Sequence, residues 1–129
     1  MADADIHVLE LTKLSWSTMG GDGPRPALTQ DASLTHDPKA DALLLVGGLT
    51  LDPDGAPGTR SLWIFDLRRK RWMEHERFFS NLRRDHVAVY DSRNFAHLIH
   101  GGCTPTEAAN FYMQGQPLRD VLVLELVRQ

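Results

Sequence analysis

Hydrophobic residues in this chain come in short runs separated by charged or turn-forming residues, with no helical spacing sustained between them. Leu43-Leu44-Leu45-Val46, Leu62-Trp63-Ile64-Phe65 and Val121-Leu122-Val123-Leu124 are apolar at every position. Because side chains alternate across a strand, such runs are apolar on both faces, as in a strand covered on both sides. The pattern predicts nine strands, at 5–11, 14–18, 31–36, 42–47, 61–67, 71–76, 85–91, 95–100 and 120–126. The short links Asp37 to Asp41, Arg68 to Lys70 and Asp91 to Asn94 read as hairpin turns.

These runs repeat. Gly47-Gly48 ends one strand and Gly101-Gly102 another, 54 residues later, and on that offset Asp31 falls on Asp85, Asp37 on Asp91, Ala42 on Ala96 and Leu44 on Leu98. A second pattern recurs at Asp5 to Leu11, Ser61 to Leu67 and Asp120 to Leu126, offsets of 56 and 59. Trp16 and Trp72 follow the first two copies at the same distance, and the third copy would place its tryptophan two positions beyond Gln129. A strand-rich period near fifty points to a propeller, and to a chain that stops inside a repeat.

Here the chain resembles the kelch repeat family. The residues that carry the likeness are Arg83-Arg84-Asp85-His86 leading a first strand, the strands ending in Gly47-Gly48 and Gly101-Gly102, the pair Phe65-Asp66 closing a third strand, and Trp72 on a fourth. Ala32 stands where the later copy has His86, and neither double glycine is preceded by tyrosine. The resemblance implies an all-β fold of about two and a quarter four-stranded antiparallel blades of a kelch-type β-propeller. Strands c and d of one blade would occupy 1–18, a whole blade 25–76, and strands a to c of a third 83–129, in a single repeat region. Gly47, Gly48, Gly101, Gly102, Trp16, Trp72 and His86 would be structural, with His86 bonding loop backbone. Propellers close with about four to eight blades, so this length implies either a piece of a longer propeller or self-association that supplies the missing blades.

Composition narrows the classes further. A net charge of −3 gives no general attraction to nucleic acid or an anionic membrane, and no apolar stretch approaches the roughly 20 residues that span a bilayer. The acidic start, Met1-Ala2-Asp3-Ala4-Asp5, does not read as a signal peptide, and one cysteine, Cys103, permits no internal disulfide. A cytoplasmic or nuclear location is expected. The basic clusters Arg68-Arg69-Lys70-Arg71 and Arg83-Arg84 read as solvated loop charge.

Long links join strands b to c at 49–60 and 103–119, and d to a at 17–30 and 77–84; in antiparallel blades both kinds emerge at one end. In kelch-like proteins that end commonly holds the partner, which makes Arg60, His75, Arg83, Arg84, Phe111 and Tyr112 the candidate contacts with a partner protein, since arginine and aromatics supply the strongest interface contacts. The expected role is a non-enzymatic adaptor or scaffold that binds protein, without cofactor or metal. No nucleophile elbow, phosphate loop or zinc-type spacing is present, and His97 and His100, three apart on a strand, point to opposite faces. The alternatives are a fragment of a kelch-like enzyme, for which Cys103 with Tyr112 resembles the crosslinked pair of copper oxidases, and a structural piece that completes a propeller in a complex.

Overall fold

The computed structural model describes residues 5–50, 58–105 and 115–127, and the described residues are all β, without a helix. β1 (Ile6–Glu10) and β2 (Ser15–Met19) form a hairpin. β4 (Ser33–Asp37), β5 (Ala42–Val46), β7 (Leu62–Asp66) and β8 (Arg71–His75) form a four-stranded antiparallel sheet in chain order. β9 (Val87–Asp91), β10 (Ala96–His100) and β11 (Val121–Leu124) form a third antiparallel sheet, and β3 (Thr29–Gln30) pairs with β6 (Leu49–Thr50) in a two-stranded ladder of its own. All nine expected strands are present, with ends within three residues of expectation. The β3–β6 pair was not expected, being too short to show a hydrophobic period.

The sequence repeat is also a repeat of backbone geometry. Ser33 pairs with Val46 and Asp37 with Ala42; 54 residues on, Val87 pairs with His100 and Asp91 with Ala96. The Gln30–Leu49 pair recurs as the Arg84–Cys103 bridge. At the offset of 56, Ile6–Met19 and Leu9–Trp16 recur as Leu62–His75 and Phe65–Trp72. The chain even repeats its unusual dihedrals: Asp31 and Asp85 have φ of 61° and 56°, and Asp41 and Phe95 have 53° and 55°. Phe95 has no chemical reason to favour that left-handed conformation, so the turn geometry imposes it.

Turn chemistry explains the hairpins. Asp37 Oδ1 accepts the Ala40 N–H at 2.9 Å, and Asp66 and Asp91 accept the N–H groups two and three residues beyond them. Each aspartate closes its strand by binding the turn backbone. The double glycines have a different cause. Gly47 and Gly48 have φ of 67° and 97°, and a Cβ on Gly47 would collide with the Arg83 carbonyl in the next repeat. The Gly48 N–H donates to that carbonyl at 2.7 Å, so the glycine pair lets two repeats approach backbone to backbone.

The core lies on both sides of the middle sheet. Toward β9–β11, Ala42, Leu44, Val46, Leu62 and Ile64 pack with Ile99 and Leu124. Toward the β1–β2 hairpin, Trp63, Phe65 and Trp72 pack with Ile6 and Met19. The rings meet edge to face, with Phe65 and Trp72 centroids 5.1 Å apart. Trp72 is 5% exposed, whereas its repeat equivalent Trp16 is 70% exposed, because no further sheet among the described residues covers the outer face of the first hairpin. Trp72→Ala is therefore expected to lower unfolding free energy by about 3–5 kcal/mol. Met73→Ala, beside it and far more exposed, should cost under about 1 kcal/mol, both measured by urea denaturation.

Candidate functional site

Antiparallel order places the tight turns at 38–41, 67–70 and 92–95 at one end of the sheets and the long links at the other. Two adjoining depressions open at the long-link end of the middle sheet. One, about 340 Å³, is lined by Arg25, Thr29, Leu45, Thr59, Trp63 and Glu74 among others. Its neighbour, about 400 Å³, is lined by Arg60, Glu76, Arg77 and Leu82 and shares Gly58, Thr59 and Glu74 with the first. Together they make a groove with Glu74 at its centre.

The groove alternates in charge. Arg25 stands at one end, held by Asp5 at 2.7 Å and by the Gly21 carbonyl; Arg60 and Arg77 stand at the other. Glu74 accepts a hydrogen bond from the Ser61 hydroxyl at 2.7 Å, which anchors its carboxylate where the two depressions meet, and Glu76 lines the second depression together with Arg60 and Arg77. Leu45 and Trp63 supply an apolar floor in the first depression and Leu82 an apolar wall in the second. Such a surface has donors and acceptors for an extended polar chain and apolar area for occasional large side chains.

Of the six expected partner contacts, Arg60 lines this groove. His75 is exposed on β8 and pairs in register with Leu62, on the opposite face of the strand from Glu74. Phe111 and Tyr112 lie outside the described residues. Arg83 and Arg84, expected as solvated loop charge, are instead interior, 3% and 6% exposed. The Arg83 guanidinium donates to the Gly101 carbonyl at 2.7 Å and to Asp120 Oδ2 at 2.6 Å. Arg84 lies 3.7 Å from both Asp31 and Asp85. Both arginines tie loops together, because backbone and carboxylate acceptors enclose them where the repeats meet. By contrast Arg68, Arg69, Lys70 and Arg71 are exposed.

His86 also differs from expectation. Its Nε2 lies 2.7 Å from the Ser33 hydroxyl of the middle sheet, a side-chain bond across repeats in place of a loop-backbone bond. Burial, and then the Arg83 charge, push its pKa below the ordinary 6.5. A second buried cluster bridges the same two sheets. His97 Nε2 lies 3.1 Å from Asp37 Oδ2 and its Nδ1 lies 2.9 Å from Thr35 Oγ1, with the Tyr90 ring tilted against the imidazole, centroids 4.9 Å apart. A hydroxyl, an imidazole and a carboxylate in line resemble a nucleophile-activating relay, but His97 and Asp37 are 1% and 2% exposed, and the groove lies among other residues. The cluster is a polar tie between sheets. His100, on the other face of β10, contacts the Asp120 carbonyl at 2.9 Å, and among the described residues no three His, Cys, Asp or Glu side chains are grouped to hold a metal.

No protein-family model and no curated protein matches the chain. Among the described residues no helix is long and apolar enough to cross a membrane.

Sequence reasoning missed Arg25 and Glu74. The signal for Glu74 was a carboxylate inside a predicted strand, two residues beyond Trp72; for Arg25 it was a lone cation in the Gly-Pro-Arg-Pro link. Neither signal locates a groove without the pairing of β7 with β8.

The titrating groups give a signed expectation. The hydrogen bond from Arg83 holds Asp120 below the usual 3.8 for its carboxyl, and burial holds His86 below 6.5. Both folded values are depressed, so each contribution is complete above the ordinary pKa and is lost as pH falls through the lowered one. Stability should decline below about pH 6.5. His86→Gln should remove the part that begins there and Asp120→Asn the part that begins near the carboxylate range, as read from denaturation midpoints across pH. Separately, His97→Leu restores the residue type of the repeat equivalent Leu43 yet leaves Asp37 Oδ2 without its imidazole partner. It should cost about 1–3 kcal/mol in chemical denaturation.

Proposed function

We propose that the chain is a non-enzymatic kelch-type β-propeller segment that acts as an adaptor or scaffold, binding another protein at its long-link end. The propeller reading rests on three sheets stacked face to face in repeated register, with the middle one buried on both sides. The single observation that carries the binding role is the charged groove between Arg25 and Arg60 with Glu74 at its centre. Its apolar floor and alternating charges suit an extended peptide segment whose acidic residues meet the arginines and whose basic residue meets Glu74. The loops carry recognition while the sheets hold them in place, the usual division of labour in such scaffolds. A reducing compartment, cytoplasm or nucleus, suits the buried free thiol of Cys103.

The test compares proteins retained from a cell extract by the wild-type chain, by Arg60→Ala combined with Glu74→Ala, and by Lys39→Ala combined with Arg93→Ala at the tight-turn end. The groove variant should lose specific partners by at least about tenfold, or 1.4 kcal/mol, while the tight-turn variant keeps them. Equal retention by all three would contradict the binding role.

A further inference from the structure

The middle sheet has two different faces, and each is met by the positions of the neighbouring repeat that correspond to its other face, Ile6 being equivalent to Leu62 and Leu124 to Phe65. Its aromatic face, Trp63, Phe65 and Trp72, receives Ile6 and Met19 of the first hairpin, and its aliphatic face, Leu62 and Ile64, receives Ile99 and Leu124 of the third sheet. The two outermost faces present the same two kinds of surface, with no sheet among the described residues over them. On the first hairpin, Leu9 and Trp16 occupy the positions equivalent to Phe65 and Trp72, and Trp16 is 70% exposed. On the third sheet, Val121 and Val123 occupy the positions equivalent to Leu62 and Ile64; they are 59% and 63% exposed, where Leu62 and Ile64 are 1% and 7%.

We infer that a second copy of this chain covers both faces at once, its Val121–Val123 face against Leu9 and Trp16 and its own Leu9–Trp16 face against Val121 and Val123. The occupant is read from the interior of the molecule, where both kinds of face already meet a sheet of this same repeat. The pairing is head to tail, so it repeats until it closes. Two copies of three stacked sheets make six, within the four to eight at which propellers close, whereas three copies make nine. The closed pair rests on the propeller reading above; the complementarity of the two faces does not.

Sedimentation of the purified chain across micromolar concentrations, with circular dichroism on each sample, tests this. The wild type should sediment as a discrete pair, twice 14.5 kDa. Trp16→Glu and Val123→Glu each alter a side chain that is exposed within one chain, so each should keep the strand spectrum and sediment as a monomer. Mixed together they should regain pairs, because one of the two interfaces then joins an unaltered Trp16 face to an unaltered Val123 face. Leu11→Glu and Val121→Glu serve as a second set if either variant loses its spectrum. A wild-type monomer, variants that still pair alone, or a mixture that stays monomeric would overturn the proposal. An open-ended ladder of masses would overturn closure and the propeller reading with it, whereas a wild-type monomer that still binds a partner through Arg60 and Glu74 would overturn only the pairing.

Discussion

Everything in this fold depends on a sheet that is apolar on both faces. β7 carries Leu62 and Ile64 on one side and Trp63 and Phe65 on the other, and all four are buried. A lone hairpin or a surface sheet has one polar face; this one has none, so it is stable only between two neighbours. Stacking follows from that requirement. The hairpin β1–β2 and the sheet β9–β11 supply the covers, Ile6 and Met19 on the aromatic side and Ile99 and Leu124 on the aliphatic side. The hydrophobic contribution scales with the apolar area removed from water, and here it falls largely between sheets.

Stacking sheets at close range brings polar backbone together at the links, and the chain meets this with specific residues. Gly47 and Gly48 allow the Arg83 carbonyl to approach and bond, and the Asp85 N–H donates to the Asp31 carbonyl at 3.1 Å, joining two equivalent positions of successive repeats. Arg83 then fills the space behind the next double glycine, bonding the Gly101 carbonyl and Asp120. His86 with Ser33, and His97 with Asp37 and Thr35, fix the register of one sheet against the next, which apolar packing alone specifies weakly. The long links are thereby held on a rigid base, and the groove they border inherits its shape from the sheets beneath it.

Much of this was legible in the sequence because the repeat shows itself in chemistry that only one geometry needs. Aspartates at Asp37 and Asp91 mark the same turn, glycine pairs mark the same close approach, and unbroken apolar runs mark strands with two covered faces. What was not legible depends on contacts between repeats. Arg83 reads as an exposed charge from its neighbours in sequence; its burial comes from Gly101 and Asp120, which lie 18 and 37 residues away. Trp16 and Trp72 look alike in sequence and differ in burial because one has a covering sheet and the other has none among the described residues. The groove was half legible. Long links sharing one end follow from strand order, but Arg25 and Glu74 come together only when the link before β3 lies against the end of β8.

The central claim is that the middle sheet is covered on both faces by sheets of the same repeat. Nuclear Overhauser contacts in solution test it most directly. The account predicts contacts from Ile6 and Met19 methyl groups to the Phe65 and Trp72 rings, together with contacts from Ile99 and Leu124 methyls to Leu44, Leu62 and Ile64. A spectrum with cross-strand contacts inside each sheet but none between sheets would contradict it.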